Sequence, residues 1–295
     1  MRKILWGISA IAACCWGGAA SAQDAAAADS EKWQLHGFGD ASVKKDYVTP
    51  RGLVVTTDGA IIHLVNGISV NSPGGASVYA GTFVALNPGH APGGEPINEF
   101  DWWVGVSVPV AEGLTASVEY GHWIFPDTIP YDERNIQLTL KYADKPKNGF
   151  SINPHANIFL SVASKSSTVV LGKPDGTGYL ELGATPTYAG DGFTLSAPTW
   201  MSVGPKDYWI DDTNKALVAT LVPGGKRSNL GVFSTGLKAS VPLSFLGGGG
   251  GASVYAFGQY YHMFNDGLVA SKALLNGGAD NRNHFNFGVG FGYGF

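Results

Sequence analysis

Asn283-His-Phe-Asn-Phe-Gly-Val-Gly-Phe-Gly-Tyr-Gly-Phe295 alternates without a break. Phe285, Phe287, Val289, Phe291, Tyr293 and Phe295 share one parity; Asn286, Gly288, Gly290, Gly292 and Gly294 share the other. A strand sends successive side chains to opposite faces, so one face is aromatic and apolar and the other small and polar. In water such a strand would be an aggregation hazard. Paired on both edges within a closed barrel, its apolar face can meet lipid while its backbone stays hydrogen-bonded.

The aromatic-x-aromatic-x-Phe ending Phe291, Tyr293, Phe295 resembles the C-terminal signal that Gram-negative outer-membrane proteins present to their assembly machinery. The other end is consistent with export. Arg2 and Lys3 precede an apolar stretch, small residues follow, and Ala20-Ser21-Ala22 offers an Ala-x-Ala cleavage site. Residues 1–22 are expected to be a signal peptide and 23–32 a short periplasmic segment, leaving 33–295 as the barrel. Ile11-Ala12-Ala13-Cys14 also resembles a lipobox, so lipidation at Cys14 stands as the alternative to cleavage after Ala22.

Composition narrows the function classes. Both cysteines, Cys14 and Cys15, lie in the leader, so beyond it neither a disulfide framework nor thiolate chemistry is expected. Of 19 basic and 23 acidic residues, Arg2 and Lys3 belong to the leader, which leaves 17 against 23 and a net charge near −6. No basic stripe points to nucleic acid. The 42 glycines and 12% aromatic residues, without a long apolar run after the leader, suit strands better than membrane helices.

Period-two segments bounded by turn residues predict an all-β fold: a transmembrane, antiparallel, up-and-down β-barrel of about 12 strands, with ten or fourteen as alternatives. The strands fall near 33–46, 60–70, 76–87, 98–109, 113–124, 133–143, 149–161, 178–189, 192–203, 229–242, 251–264 and 283–295. Each is close to the ~9–11 residues that cross a tilted bilayer path. Short turns such as Asn71–Gly75, Ala111-Glu112 and Gly190-Asp191 alternate with longer, more polar connections near 47–59, 88–97, 125–132, 162–177, 204–228 and 265–282. That alternation is the pattern of periplasmic turns and outer loops, with both termini in the periplasm.

Charge fixes several faces. Facing Asp101, Lys141 or Lys238 toward acyl chains would cost up to ~2–4 kcal/mol for a basic residue at the midplane. The expected pore-lining set is therefore Asp101, Trp103, Glu119, Gln137, Lys141, Asn153, His155, Asn157, Glu181, Trp200 and Lys238. Trp123 and Phe159 share that inward face. The first three strands and the eleventh carry aromatic or apolar residues on both parities, and their faces stay open.

No His-Glu-x-x-His, Gly-x-Ser-x-Gly or Walker pattern occurs, and no catalytic residue, metal site or cofactor is expected. His122 and Glu119 have opposite parity and cannot form a dyad on one face. His155 shares its face with Asn153 and Asn157, so a hydrolytic role needs a serine from a neighbouring strand. Asp207, Asp211 and Asp212 lack a calcium-loop spacing and are expected to be solvated.

Tyr47-Val-Thr-Pro-Arg51-Gly52, then Val78-Tyr79-Ala80-Gly81-Thr-Phe83, then Trp102-Trp103-Val-Gly105 resemble the TorF-like porin family of proteobacterial outer-membrane β-barrels. The family's element is Tyr-x-x-Arg-Gly; here one further residue separates Tyr47 from Arg51. The resemblance covers roughly the first hundred and twenty residues after the leader plus the closing strand. It implies a small porin-type barrel and carries over no catalytic residue.

The leading expectation is an outer-membrane channel for passive diffusion of small hydrophilic solutes. Its partners would be outer-membrane lipids and lipopolysaccharide, the barrel-assembly machinery and the solutes. One alternative is an outer-membrane enzyme modifying lipid or lipopolysaccharide, acting through His155 or His122. Another is a structural or interaction barrel with an occluded lumen and exposed loop rings at Tyr208 and Trp209.

Overall fold

The computed structural model describes residues 32–57, 59–88, 96–126, 132–167, 169–225, 227–243, 251–277 and 281–295. The expected leader, its expected cleavage site and Cys14 lie outside the described residues. Twelve antiparallel strands form the wall: β1 (Gln34–Lys44), β2 (Ile61–Asn71), β3 (Ser77–Leu86), β4 (Ile97–Ala111), β5 (Leu114–Ile124) and β6 (Glu133–Tyr142). Then come β7 (Phe150–Ser151 and Pro154–Ser161), β8 (Thr177–Ala184 and Thr187–Gly190), β9 (Phe193–Ser196 and Thr199–Val203), β10 (Leu230–Pro242), β11 (Ala252–Met263) and β12 (Asn283–Gly294). Each pairs with its neighbours in sequence. β12 closes the ring on β1, from Phe38 opposite Gly294 to Lys44 opposite Gly288. Closure removes every free edge, which answers the hazard of the terminal strand.

The strand count is twelve, and each predicted boundary lies within two residues of the observed one. Three strands are interrupted near their short-turn ends, at Ile152-Asn153 just before Pro154, at Pro186 and at Pro198. Proline cannot donate to the ladder. The carbonyls of Pro186 and Pro198 still accept, from Ala197 N at 2.8 Å and Gly236 N at 3.0 Å, so the wall stays closed across these breaks. Parity is preserved through them: Ser151 opposes Thr187, and Thr187 opposes Ser196.

The wall is apolar outside and polar inside. Val104, Val106, Val108, Leu138, Leu140, Ile158, Leu237 and Val289 are exposed, while Asp101, Asn135, Asn157, Ser202 and Ser234 on alternating positions are buried. Water outside this surface would leave a continuous apolar belt unburied; lipid would not. Along β12 the ten steps from Phe285 to Phe295 rise about 33 Å. At a tilt of about 40° this spans about 25 Å vertically, the height of a lipid-facing band. No described helix is long and apolar enough to cross a membrane.

The glycine row of β12 now has a physical reason. Tyr255 on β11 lies across Gly290, where a Cβ would overlap its ring. The ring thereby crosses β12, and its hydroxyl donates to Asp40 on β1 at 2.8 Å. Lys238 Nζ sits 3.7 Å from the centre of the same ring. Trp103 lies over Gly81 and Tyr79 over Gly105 in the same manner. Inward rings are laid along the wall instead of across the lumen.

Candidate functional site

The described residues of four long connections, β1–β2, β7–β8, β9–β10 and β11–β12, do not extend into solvent as a polar fringe; they fold into the barrel mouth. In the β1–β2 connection, Tyr47–Val48 pairs with Val54–Thr56 as a small hairpin. From Asp46 to Thr56 every residue except Pro50 is buried. The β9–β10 connection supplies two helices, α1 (Lys206–Trp209) and α2 (Lys215–Leu221), and the β11–β12 connection supplies α3 (Asp266–Asn276). Leu53, Val54, Val169, Leu171, Trp209, Ile210, Val218, Leu268 and Val269 from these loops join Phe83, Trp123, Phe159, Tyr179 and Val232 from the wall in one buried cluster. Burial of large apolar side chains stabilises such a cluster by about 1.5–3 kcal/mol each. This is a lid with its own core.

Polar ties lock the loops to one another. Asn276 Nδ2 donates to Val54 O at 3.1 Å, and Ser271 Oγ donates to Val169 O at 2.5 Å. Asp211 N donates to Leu171 O at 2.8 Å. Arg282 pairs with Asp266, and Asn265 Nδ2 donates to Ser228 O at 2.5 Å. Asn265 also caps α3 through Gly267 N at 2.8 Å, and the left-handed Gly277 ends it.

Tyr208 and Trp209, expected as exposed rings if the barrel served as an interaction scaffold, are 1% and 0% exposed. The correction follows from glycine contacts. Gly172 and Gly267 admit the backbone of α1 where a Cβ would overlap it, and Gly231 admits the Trp209 ring. The three aspartates of this loop are engaged locally. Asp207 lies 3.6 Å from Lys173, and Asp212 lies 2.8 Å from Lys215 and 3.3 Å from Arg227. Asp211 accepts from Thr213 N at 2.8 Å and from Thr213 Oγ1 at 2.7 Å. Among the described residues no group of three His, Cys, Asp or Glu is placed to hold a metal.

These contacts give the lid a pH dependence. The hydrogen bonds from Thr213 hold the Asp211 carboxyl below its ordinary 3.8, and Lys215 with Arg227 holds Asp212 below the same value. Folded values below unfolded ones stabilise fully above about pH 3.8, and that contribution is lost as pH falls through the folded values. Amides over 211–221 are therefore expected to exchange faster once pH drops below about 3.8, after correction for intrinsic rates.

At the centre of the lid stands Arg51, which is 2% exposed. Its Nε donates to Tyr208 Oη at 3.0 Å and its Nη2 to Asn135 Oδ1 at 3.3 Å. Glu133 Oε1 lies 3.7 Å from Nη2. The guanidinium rests 3.6 Å from the centre of the Trp123 ring. Gly52 beside it adopts φ +78, and a Cβ there would overlap Val232. Gly52→Ala is expected to destabilise the lid by about 1–3 kcal/mol through strain and overpacking. Faster limited proteolysis within 45–60, with the wall intact, is the readout.

The structure distributes the expected lining residues over three levels. Asp101 lies in the lid layer, fully buried beside Phe83 and Trp123. Trp103, Glu119, Gln137, Asn157, Glu181 and Trp200 sit on inward positions at mid-height. Lys141, His155 and Lys238 lie nearer the short-turn mouth. Asn157 Nδ2 donates to Glu181 Oε1 at 2.8 Å, and His155 Nε2 is 3.5 Å from the same atom. Asn153 departs from the set. With φ +53 it is turned into the wall, donating to Ser151 Oγ and Thr185 O and accepting from Asp144 N.

Glu119 faces inward and His122 outward, as their parity requires. His122 has a partner that the sequence reading passed over: Asp132, at the far end of the β5–β6 connection, with Arg134 3.5 Å from the same carboxylate. Arg51, Tyr208, Glu133 and Glu99 were likewise missed as site residues. The available signal was the apolar Leu53-Val54-Val55 run in a supposed outer loop, next to the Tyr47…Arg51-Gly52 element.

No protein-family model matches the chain, and no curated protein sequence matches it. Among solved structures the chain is similar to a NanC porin, at 9% identity over 88% of this chain and 98% of that one, with a TM-score of 0.46. It is also similar to outer membrane phospholipase A from Escherichia coli, at 11% identity over 86% and 91%, TM-score 0.45. An outer-membrane channel from Pseudomonas putida F1 matches at 7% identity over 92% and 99%, TM-score 0.44. Likenesses this distant carry no weight on activity.

Proposed function

We propose that this chain is an outer-membrane channel for small hydrophilic solutes, with both termini periplasmic and its mouth at the long-loop end closed by the lid. The observation that carries the reading is the inverted wall, in which an exposed apolar belt encloses charged and amide side chains below the apolar core of the lid. A packed water-soluble protein has no use for that inversion; a conduit through lipid requires it. Acids on β4, β5 and β8 (Asp101, Glu119, Glu181) face bases on β1 and β10 (Lys44, Lys238) around the lumen. Opposed charges of this kind select among small solutes. Assembly through the outward Phe291, Tyr293 and Phe295 and contact with lipid and lipopolysaccharide belong to the same proposal. Membership of the TorF-like porins does too, because the element that carries the resemblance is the loop entering the barrel.

The test is swelling of proteoliposomes in solutions of neutral sugars. The channel reading expects swelling that slows as sugar size increases and speeds up when the lid is weakened by Gly52→Ala. Absence of swelling with both proteins, each shown to be folded, would overturn it.

One observation favours a lipid-modifying enzyme: the outward His122–Asp132 pair near the long-loop rim. Among the described residues its neighbours on that face are Trp102, Tyr120 and Arg134, which supply no serine-type hydroxyl, and the nearby Ser164 hydroxyl is held by the Arg134 backbone, donating to its carbonyl at 3.0 Å. The channel reading therefore stands first. Release of fatty acid from phospholipid vesicles, abolished by His122→Ala, would reverse that order.

A further inference from the structure

The surroundings of Arg51 are those of a receptor for a planar cation. Three rings approach the guanidinium: Trp123 at 3.6 Å, Phe159 at 5.1 Å and Tyr179 at 5.8 Å from ring centre to Cζ. Phe159 and Tyr179 stack on each other at 4.6 Å with planes 8° apart. Around the edge, Tyr208 Oη and Asn135 Oδ1 accept hydrogen bonds and Glu133 supplies charge. Aromatic faces against the plane and acceptors at the rim suit a guanidinium, whereas a compact ammonium ion is strongly hydrated and presents no plane to stack.

Two further features separate this cage from an ordinary buried ion pair. First, the receptor and its occupant belong to different parts of the fold. Trp123, Glu133, Asn135, Phe159 and Tyr179 stand on adjacent wall strands β5 to β8, held by continuous ladders. Arg51 arrives on a loop. Withdrawal of the loop would leave the cage standing, apart from Tyr208. Second, more carboxyl groups surround Arg51 than one guanidinium can pair with. Asp101, which interacts electrostatically with Arg51, and Glu99 beside it are buried on the same side of the lumen. Asp101 Oδ1 and Oδ2 and Glu99 Oε2 have no hydrogen bond of normal geometry. Buried carboxyl atoms without a well-formed protein partner require an explanation, and room for water or a polar solute is one.

We propose that this cage is a binding site for small guanidinium-bearing solutes, that Arg51 fills it as an internal stand-in, and that such a solute opens the lid by taking its place. The opening step rests on the channel reading; the binding step does not. Replacing one guanidinium by another leaves the contacts unchanged, so the tether is the obstacle. A side chain on a short linker competes at an effective concentration of the order of millimolar. Displacement therefore needs solute at about that level, and removing Arg51 should make the cage bind more tightly.

The experiment uses agmatine, with putrescine as the control in which an amine replaces the guanidino group. Tryptophan fluorescence of the folded Arg51→Ala barrel in detergent is expected to change saturably with agmatine. The half-saturating concentration should be at least tenfold lower than for putrescine and at least tenfold lower than for agmatine with the wild type. The signal should vanish when Trp123→Phe or Glu133→Gln is added. In the wild type, millimolar agmatine should speed amide exchange over 46–56. A folded variant that does not bind agmatine, or binds putrescine equally well, would overturn the proposal, as would a wild-type loop indifferent to agmatine. If alanine prevents folding, Arg51→Met keeps the side-chain stem and carries the same titration. Binding by a variant that never conducts would refute the channel reading and leave the binding site standing.

Discussion

Arg51→Ala is expected to release the lid while leaving the barrel closed. The substitution removes the single guanidinium that meets Glu133, Asn135, Tyr208 and the Trp123 ring. It leaves the Glu133 carboxylate, which is 1% exposed, with the Ser161 hydroxyl donating at 3.0 Å but no guanidinium beside it, near buried Glu99. Removing one partner of a buried ion pair typically costs about 3–5 kcal/mol, because the remaining charge is left without compensation. None of the ladder contacts from β1 to β12 involves the Arg51 side chain, so the cost falls on the closed state of the lid. At about 1.4 kcal/mol per factor of ten, amide exchange over 46–56 should accelerate roughly a hundredfold to several thousandfold. Exchange in the middles of β5 and β6 should stay unchanged. Equal acceleration in both places would mean that Arg51 supports the barrel as a whole and does not latch a separable lid.

The second large effect concerns the outer face. Leu138 lies mid-strand on β6, exposed between Val118 of β5 and Ile158 of β7, while Thr139 beside it points inward between Ser117 and Asn157. In lipid vesicles Leu138→Arg should destabilise the barrel by about 2–4 kcal/mol, since a basic side chain at mid-belt must leave water. Thr139→Arg places the same charge near Glu119 and Glu181 in the lumen and should cost less than about 1 kcal/mol, of the order of a screened surface pair. Urea unfolding in vesicles measures both. The reverse ranking would mean that water, not lipid, covers the outer face.

The two variants also show how far the sequence could be read. Leu138 and Thr139 were assignable because Asn135, Gln137, Thr139 and Lys141 form one polar parity against Ile136, Leu138, Leu140 and Tyr142. Strand number, order and boundaries followed from such alternation, since a wall between lipid and water imposes it residue by residue. β1, β2, β3 and β11 resisted assignment for a reason the lid supplies. Ile61, Phe83 and Met263 are apolar yet face inward, because near the long-loop mouth the lumen is filled by loop side chains and not by water.

The lid itself was the least legible part. Its contacts join residues far apart in the chain, such as Arg51 with Tyr208 and Asn276 with Val54, and no local period encodes them. Only the apolar runs Leu53-Val54-Val55 and Leu268-Val269-Ala270 in supposed outer loops hinted that those loops turn inward. The candidate lining was legible as a parity class. That Asp101 is sealed under the lid while Glu119 and Lys141 stay partly exposed depends on loop packing, and that only the three-dimensional structure supplies.

The most direct test of the account is single-channel recording in planar bilayers of the refolded protein beginning at Gln23, with Arg51→Ala alongside. The account predicts rare, discrete, salt-dependent openings in the wild type and long-lived openings of the same unit size in the variant. Two folded barrels that both insert and both stay silent would contradict it.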